Sequence, residues 1–219
     1  MSTDSLPNVG NDLIRIHKVI TRALDVSLQH AEMNISTDGV RHGFKSYVHV
    51  LTILLHSHHA SEDELSFPYW KVRMPEGPFD LLIEQHQQMI IYLSQIEQWL
   101  EADTLAWQPD YLKQLRTTLN DLQKYWLNHI TLEEATIGPE SSRQYLTQAE
   151  NEELLKQLSE HGQVHSQPSE LVMPFIVYNL SEIDRAEFVK LLPPVMIQQL
   201  IPLAWKEVWA PMKPFLLTE

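Results

Sequence analysis

At 219 residues, 43% of them hydrophobic, the chain is long enough for one substantial domain with a sizeable core. Its 29 acidic residues outnumber 16 basic ones, and the net charge of -13 excludes nucleic acid and anionic membrane surfaces as principal partners. With no cysteine, disulfides, iron-sulfur clusters and thiolate zinc sites are excluded as well, so any metal must be held by nitrogen and oxygen.

The opening from Met1 to Asn8 lacks a basic region followed by an apolar run, and no stretch of about twenty uninterrupted apolar residues occurs. The expectation is a soluble, cytoplasmic protein. Six glycines, scarce period-two alternation and long 3.6-period stretches predict an all-α fold. Asn11 or Asp12 is placed to cap a first helix with the inner face Leu13, Ile16, His17, Ile20, Leu24 and Leu28. His17 is the one polar group in that face. Asn34 to Gly39 reads as a turn.

A second helix is predicted from about Val40 to Leu65, ending before Pro68 because a proline disfavours helix at the residue before it. Steps of three and four along it give Val48, Leu51, Leu55, His58, Glu62 and Leu65. After a loop at Met74-Pro75-Glu76-Gly77-Pro78, a third helix from about Phe79 to Leu100 has the inner face Phe79, Leu82, Ile83, His86, Met89, Ile90, Leu93 and Ile96. A fourth begins near Asp110 and ends near Gly138-Pro139. Its stripe runs Leu115, Leu119, Leu122, Trp126, His129 and Glu133. Four such helices with short connections predict an up-down-up-down bundle.

Two frames in these helices match. His58-His59-Ala60-Ser61-Glu62-Asp63 and His129-Ile130-Thr131-Leu132-Glu133-Glu134 both place His four residues before Glu, then a second acid, with Pro68 and Pro139 ten positions after the His. On a helix, i and i+4 share one face, so imidazole and carboxylate reach a common point. A carboxylate in an apolar stripe carries a heavy desolvation cost, and a metal ion is the usual compensation where imidazoles converge. A helix of about twenty residues plus a connection returns an antiparallel neighbour to the same level, so His17, His58, Glu62, His86, His129 and Glu133 can share one layer. Four imidazoles and two carboxylates suit two borderline ions, most simply iron, with each carboxylate bridging both.

Other histidines read differently. His59 with Asp63 forms a competing pair one position round the second helix, expected to be supporting or surface groups. His42, His49 and His56 recur every seven residues on one flank, and His161 and His165 flank a linker at Ser166 to Ser169. Thr147 to His161 predicts a shorter polar helix, with the run Glu150-Asn151-Glu152-Glu153 as a solvated face. Leu171 to Leu217 is apolar, aromatic and broken by Pro174, Pro193, Pro194, Pro202, Pro211 and Pro214, which predicts several short helices packed on the bundle or over one end.

The ordered set of His17, the His58-His59-x2-Glu62-Asp63-x3-Phe67-Pro68 block, His86 and His129-x3-Glu133-Glu134 resembles the hemerythrin-like, or HHE cation-binding, family over roughly residues 11 to 140. The resemblance implies a hemerythrin-like bundle at 11–145 with a helical extension at 146–219. It also implies two iron ions with an oxo or hydroxo bridge, held by His17, His58, Glu62, His86, His129 and Glu133. The implied function is to bind or sense a small oxidant: dioxygen, nitric oxide or peroxide. An oxidoreductase or peroxidase-like enzyme, an iron-centre repair or iron-handling protein, and a non-metal module docking through its apolar C-terminal segment are the competing readings. Oxygen carriers of the family have a second His four residues after the third-helix His, where this chain has Ile90. That departure is expected to free a position for a small ligand.

Overall fold

The computed structural model describes residues 7–32 and 37–217, and every regular element among them is helical. Four long helices, α1 (Val9–Glu32), α2 (Asp38–Ser61), α4 (Phe79–Glu101) and α5 (Pro109–Ile137), form the bundle, with the short α3 (Phe67–Arg73) between the second and third. Pairs across each interface fix the directions. Thr21 meets Trp126 and Asp25 meets Gln123, at 2.9 and 2.6 Å. His56 meets Glu97 and Asp63 meets His86, at 3.0 and 2.8 Å. Gln95 meets Thr118 and Gln85 meets His129, both at 3.0 Å. Arg22 meets Tyr47, and His17 lies edge-on to His58. In all four interfaces one number rises as the other falls, so each neighbour is antiparallel: the expected up-down-up-down bundle.

The first helix starts earlier than the sequence predicted. Asn8, rather than Asn11 or Asp12, is its cap, and the Asn8 side chain accepts a hydrogen bond from the Asn11 N–H at 3.1 Å. The predicted turn at 34–39 falls partly on residues 34–36, which lie outside the described residues. The second helix does not end before Pro68. A π-helical turn at Glu62–Ser66 follows α2 directly and leads into α3, which places Pro68 in its first turn. There a proline costs no hydrogen bond and its fixed φ suits a helix start, so the chain continues through it to Arg73. The π turn falls on the segment carrying Glu62 and Asp63, and such turns occur often at functional sites.

The interior has three levels. A large apolar cluster contains Ile20, Leu24, Phe44, Leu51, Leu55, Met89, Leu93, Trp99, Leu119 and Trp126. A smaller one holds Val9, Phe67, Trp70, Phe79, Leu82, Ile137 and Leu154. About two to three turns separate the two clusters along the bundle. Leu55 and Phe67, Leu82 and Met89, and Trp126 and Ile137 each bracket a polar stretch, so a polar layer is enclosed between two dry ones.

After α5 come α6 (Pro139–Tyr145), α7 (Gln148–His165), α8 (Ser169–Asn179), α9 (Glu182–Phe188), a π-helical stretch at Met196–Ala204, α10 (Lys206–Trp209) and a 3-10 turn at Ala210–Phe215. The prolines thus yield the expected series of short pieces, while α7 runs four residues past His161. The run at 150–153 is not simply a solvated face. Glu150 completes a capping box with Thr147 and pairs with Arg73 at 2.6 Å, while buried Asn151 accepts from the Val9 N–H at 3.1 Å. Thr147 and Arg73 hold the Glu150 carboxyl well below the usual range, at about 2.

The aromatic end of the chain docks at one end of the bundle. Phe215 packs on Phe44 and Tyr47, and Phe175 lies against Tyr47. Arg22 donates to the Phe215 carbonyl at 3.0 Å and to Asn179, which also accepts from the Tyr47 hydroxyl at 2.7 Å. Gly43 permits this approach: a Cβ there would sit 1.9 Å from the Pro211 carbonyl oxygen. Tyr47 is about three turns along α2 from His58, so this segment covers apolar surface rather than the polar layer.

Candidate metal centre

Each long helix delivers its predicted residue to the same level. His17, His58, Glu62, His86, His129 and Glu133 are all buried, with exposures between 0% and 7%. His17, His58, Glu62 and Glu133 offer ligand atoms that lie within 4.8 Å of one another, and Glu62, His86 and His129 form a second such group. Glu62 belongs to both. It reaches His58 Nε2 at 3.1 Å through one oxygen and His86 Nε2 at 3.3 Å through the other. Glu133 spans helices in the same way, with one oxygen 3.2 Å from His17 Nε2 and 3.4 Å from His129 Nε2. The two carboxylates therefore lie across two adjoining sets of nitrogens.

Short distances here do not mean hydrogen bonds. The Nε2 atoms of His17 and His58 and both oxygens of Glu62 and Glu133 are buried without a hydrogen-bond partner. The outer nitrogens are satisfied: His17 Nδ1 faces Glu134 at 2.8 Å, His86 Nδ1 faces Asp63 at 2.8 Å, and His129 Nδ1 faces the Gln85 amide oxygen at 3.0 Å. Each of those oxygens accepts, so each Nδ1 donates, and the neutral rings turn lone pairs inward from Nε2. His86 Nε2 and His129 Nε2 face each other at 3.1 Å. Where both rings turn a lone pair there, a cation beside them would remove the repulsion between the pairs. Outer acceptors that fix the tautomer of a ligating imidazole are the usual supports of a metal ligand.

Protonation follows from the same geometry. Burial pushes the Glu62 carboxyl well above its ordinary range, reinforced by the Glu133 charge. Burial acts on Glu133 too, but the adjacent His129 and His17 rings outweigh it and hold that carboxyl well below the usual range. His17 is raised despite burial because Glu133 and Glu134 favour its cation. Burial drives His58 and His59 well below the ordinary imidazole value, and it lowers His129.

Two placements differ from expectation. His59 is neither a surface nor a simple supporting group: it is 3% exposed, its ring stacks on His86 at 4.1 Å, and both its nitrogens lack partners. His59 lies in the regular part of α2, four residues after buried Leu55, and so belongs to the same buried face. Ile90 is 41% exposed, with Met89 buried in its stead. The position therefore faces outward on α4 and frees no place in the layer. Asp63 supports His86 as expected, whereas Glu134 entered the sequence reading only as the acid after Glu133 and Gln85 did not enter it. His42 and His49 are exposed and half-exposed His56 pairs with Glu97, so none of that flank reaches the layer.

A buried layer of imidazoles and carboxylates inside a four-helix bundle is the hallmark of a helical cation-binding domain. The hemerythrin HHE cation binding domain matches residues 9–141, well over half of the chain. The chain belongs to that family. No curated protein and no solved structure matches it significantly. Among the described residues no helix is long and apolar enough to cross a membrane.

Proposed function

We propose that His17, His58, Glu62, His86, His129 and Glu133 hold two iron ions and that the protein binds or senses a small oxidant, namely dioxygen, nitric oxide or peroxide. The observation that carries this reading is the set of buried inward atoms without partners: the Nε2 atoms of His17 and His58 and both carboxylate oxygens of Glu62 and Glu133. The donor set suits borderline ions, and two bridging carboxylates match a pair of them. A di-iron pair would supply redox change at constant net charge, since two ferrous ions and the same pair in the ferric state with an oxo bridge leave equal charge beside two carboxylates.

The chain's own residues do the rest. Asp63, Gln85 and Glu134 hold each ring's outer proton and so keep the inner nitrogens basic. The dry clusters on either side exclude bulk water. Between α1 and α5 a surface depression of about 250 Å³ reaches His17 and Glu134, the side from which a small ligand would approach. An oxidoreductase would be favoured by a C-terminal pocket over the layer, and the C-terminal aromatics instead pack at Phe44 and Tyr47. A cytoplasmic location and an unidentified redox partner belong to the same proposal.

Metal analysis and visible spectroscopy of purified protein, before and after reduction and exposure to air, test it. The proposal expects about two irons per chain and near-ultraviolet charge-transfer bands that bleach on reduction and change with nitric oxide or peroxide. Protein that neither carries iron nor takes it up on reconstitution would overturn it.

A further inference from the structure

Among the described residues, one group of side chains outside the layer has ligand geometry. Glu64, His161 and His165 each offer one donor atom, all within 4.8 Å of one another. His161 and His165 stand four residues apart on α7, so both rings project from one face over adjacent turns. The rings lie parallel, 4.1 Å apart with 13° between their planes. Glu64 comes from the π turn of a different element and places its Oε2 3.0 Å from His161 Nε2. The His161 side chain is only 11% exposed, and its Nδ1 is buried with no hydrogen-bond partner. A lone Glu-His contact accounts for one nitrogen. It explains neither the second ring stacked alongside nor the desolvated one without a partner.

We propose that Glu64, His161 and His165 form a second, outer site for a borderline divalent cation of the zinc class, separate from the buried layer. Two imidazole nitrogens and one carboxylate oxygen make a donor set that zinc accepts, with the remaining positions filled by water on the open side. An ion there joins two elements that otherwise meet through few polar contacts. It ties the end of α7 to the turn that presents Glu62 and Asp63, where Ser166 also reaches Ser57 at 2.7 Å. The excess of acidic residues draws cations to the surface without selecting a site, and the three converging donors supply the selection.

The test is a zinc titration by isothermal calorimetry of tag-free, full-length protein whose buried layer is already loaded with iron. The wild type is expected to take up one zinc ion more than a His161→Ala/His165→Ala variant, and Glu64→Gln should weaken that uptake by at least about tenfold. Retained iron and circular dichroism report that the variants fold. Because the readout is a difference between chains, it survives failure of the di-iron reading: the same comparison made in a Glu133→Ala background isolates the outer site. Equal zinc stoichiometry and affinity in the wild type and the double variant, or no zinc uptake by the wild type, would overturn the proposal.

Discussion

The aromatic end of the bundle and the polar layer beside it are built on the same four helices, yet different physics holds them. Around Phe44, Tyr47, Trp99 and Phe215 the contacts are apolar, and the buried polar atoms of Arg22, Tyr47 and Asn179 bond to one another. Around His17, His58, Glu62 and Glu133 the polar atoms are equally buried, but the inward ones point at one another without hydrogen bonds. The first region is complete without any added group. The second leaves desolvated donors and acceptors whose cost a bound cation would offset. Burial by itself does not separate structural residues from functional ones; satisfaction does.

The comparison breaks most visibly in the aromatic end. Phe215→Ala removes a ring packed on Phe44, Tyr47 and His30 and should cost about 3–5 kcal/mol of stability, read by denaturant unfolding, with metal per folded chain unchanged. Loss of metal together with stability would show that the two regions are not separable.

Removing metal acts on the other side. An ion present at about a hundred times its Kd stabilises the fold by about 2.7 kcal/mol. Chelation should therefore lower Tm by roughly 5–10 °C in a chain of this size, since each kcal/mol is worth about 2–4 °C. An unchanged Tm after complete stripping would mean that the layer is satisfied without an ion.

A subtler cut leaves the ligands in place. Asp63→Ala or Glu134→Ala frees the outer nitrogen of His86 or His17 and should reduce metal affinity about 10–100-fold while the chain stays folded, as competition with a chromophoric chelator would reveal. Asn at either position keeps an acceptor and should restore part of the loss.

The smallest effect is one of pH. In the metal-free layer Glu62 and His17 are both raised above their ordinary values of 4.5 and 6.5, so both hold protons that an incoming ion must displace. Metal uptake therefore strengthens as pH rises from about 5 to 7 and releases protons, a sign that calorimetry in buffers of different ionisation enthalpy can read. Uptake that weakens over this range contradicts the protonation scheme.

Much of this was legible in the sequence because the bundle obeys one period. Every inward residue of the fourth helix, from Leu115 to Glu133, falls where steps of three and four put it. The same arithmetic fails where the helix changes its own geometry. The π turn at Glu62–Ser66 adds a residue to one turn, and in place of the predicted stop before Pro68 the chain passes directly into α3. His59 is a different case: it follows buried Leu55 by four residues, so the apolar stripe is wide enough to take in both His58 and His59. Ile90 went astray for a simpler reason: two adjacent apolar residues compete for one inner position, and Met89 takes it. Gln85 and Glu134 are polar neighbours of ligands on the chain, and only the packed helices show that they reach across to rings on other elements. His161 and His165 meet Glu64 from nearly a hundred residues away, a pairing no local pattern encodes.

If the buried layer holds metal through these six residues, metal content per folded chain will show it. Measured by mass spectrometry on the wild type, His58→Ala, Glu133→Ala and His49→Ala after identical loading, the account predicts a sharp fall in the first two variants. His49 is exposed on the outer flank, and its variant should load like the wild type. Equal loss in all three variants, or full loading of Glu133→Ala, would contradict the account.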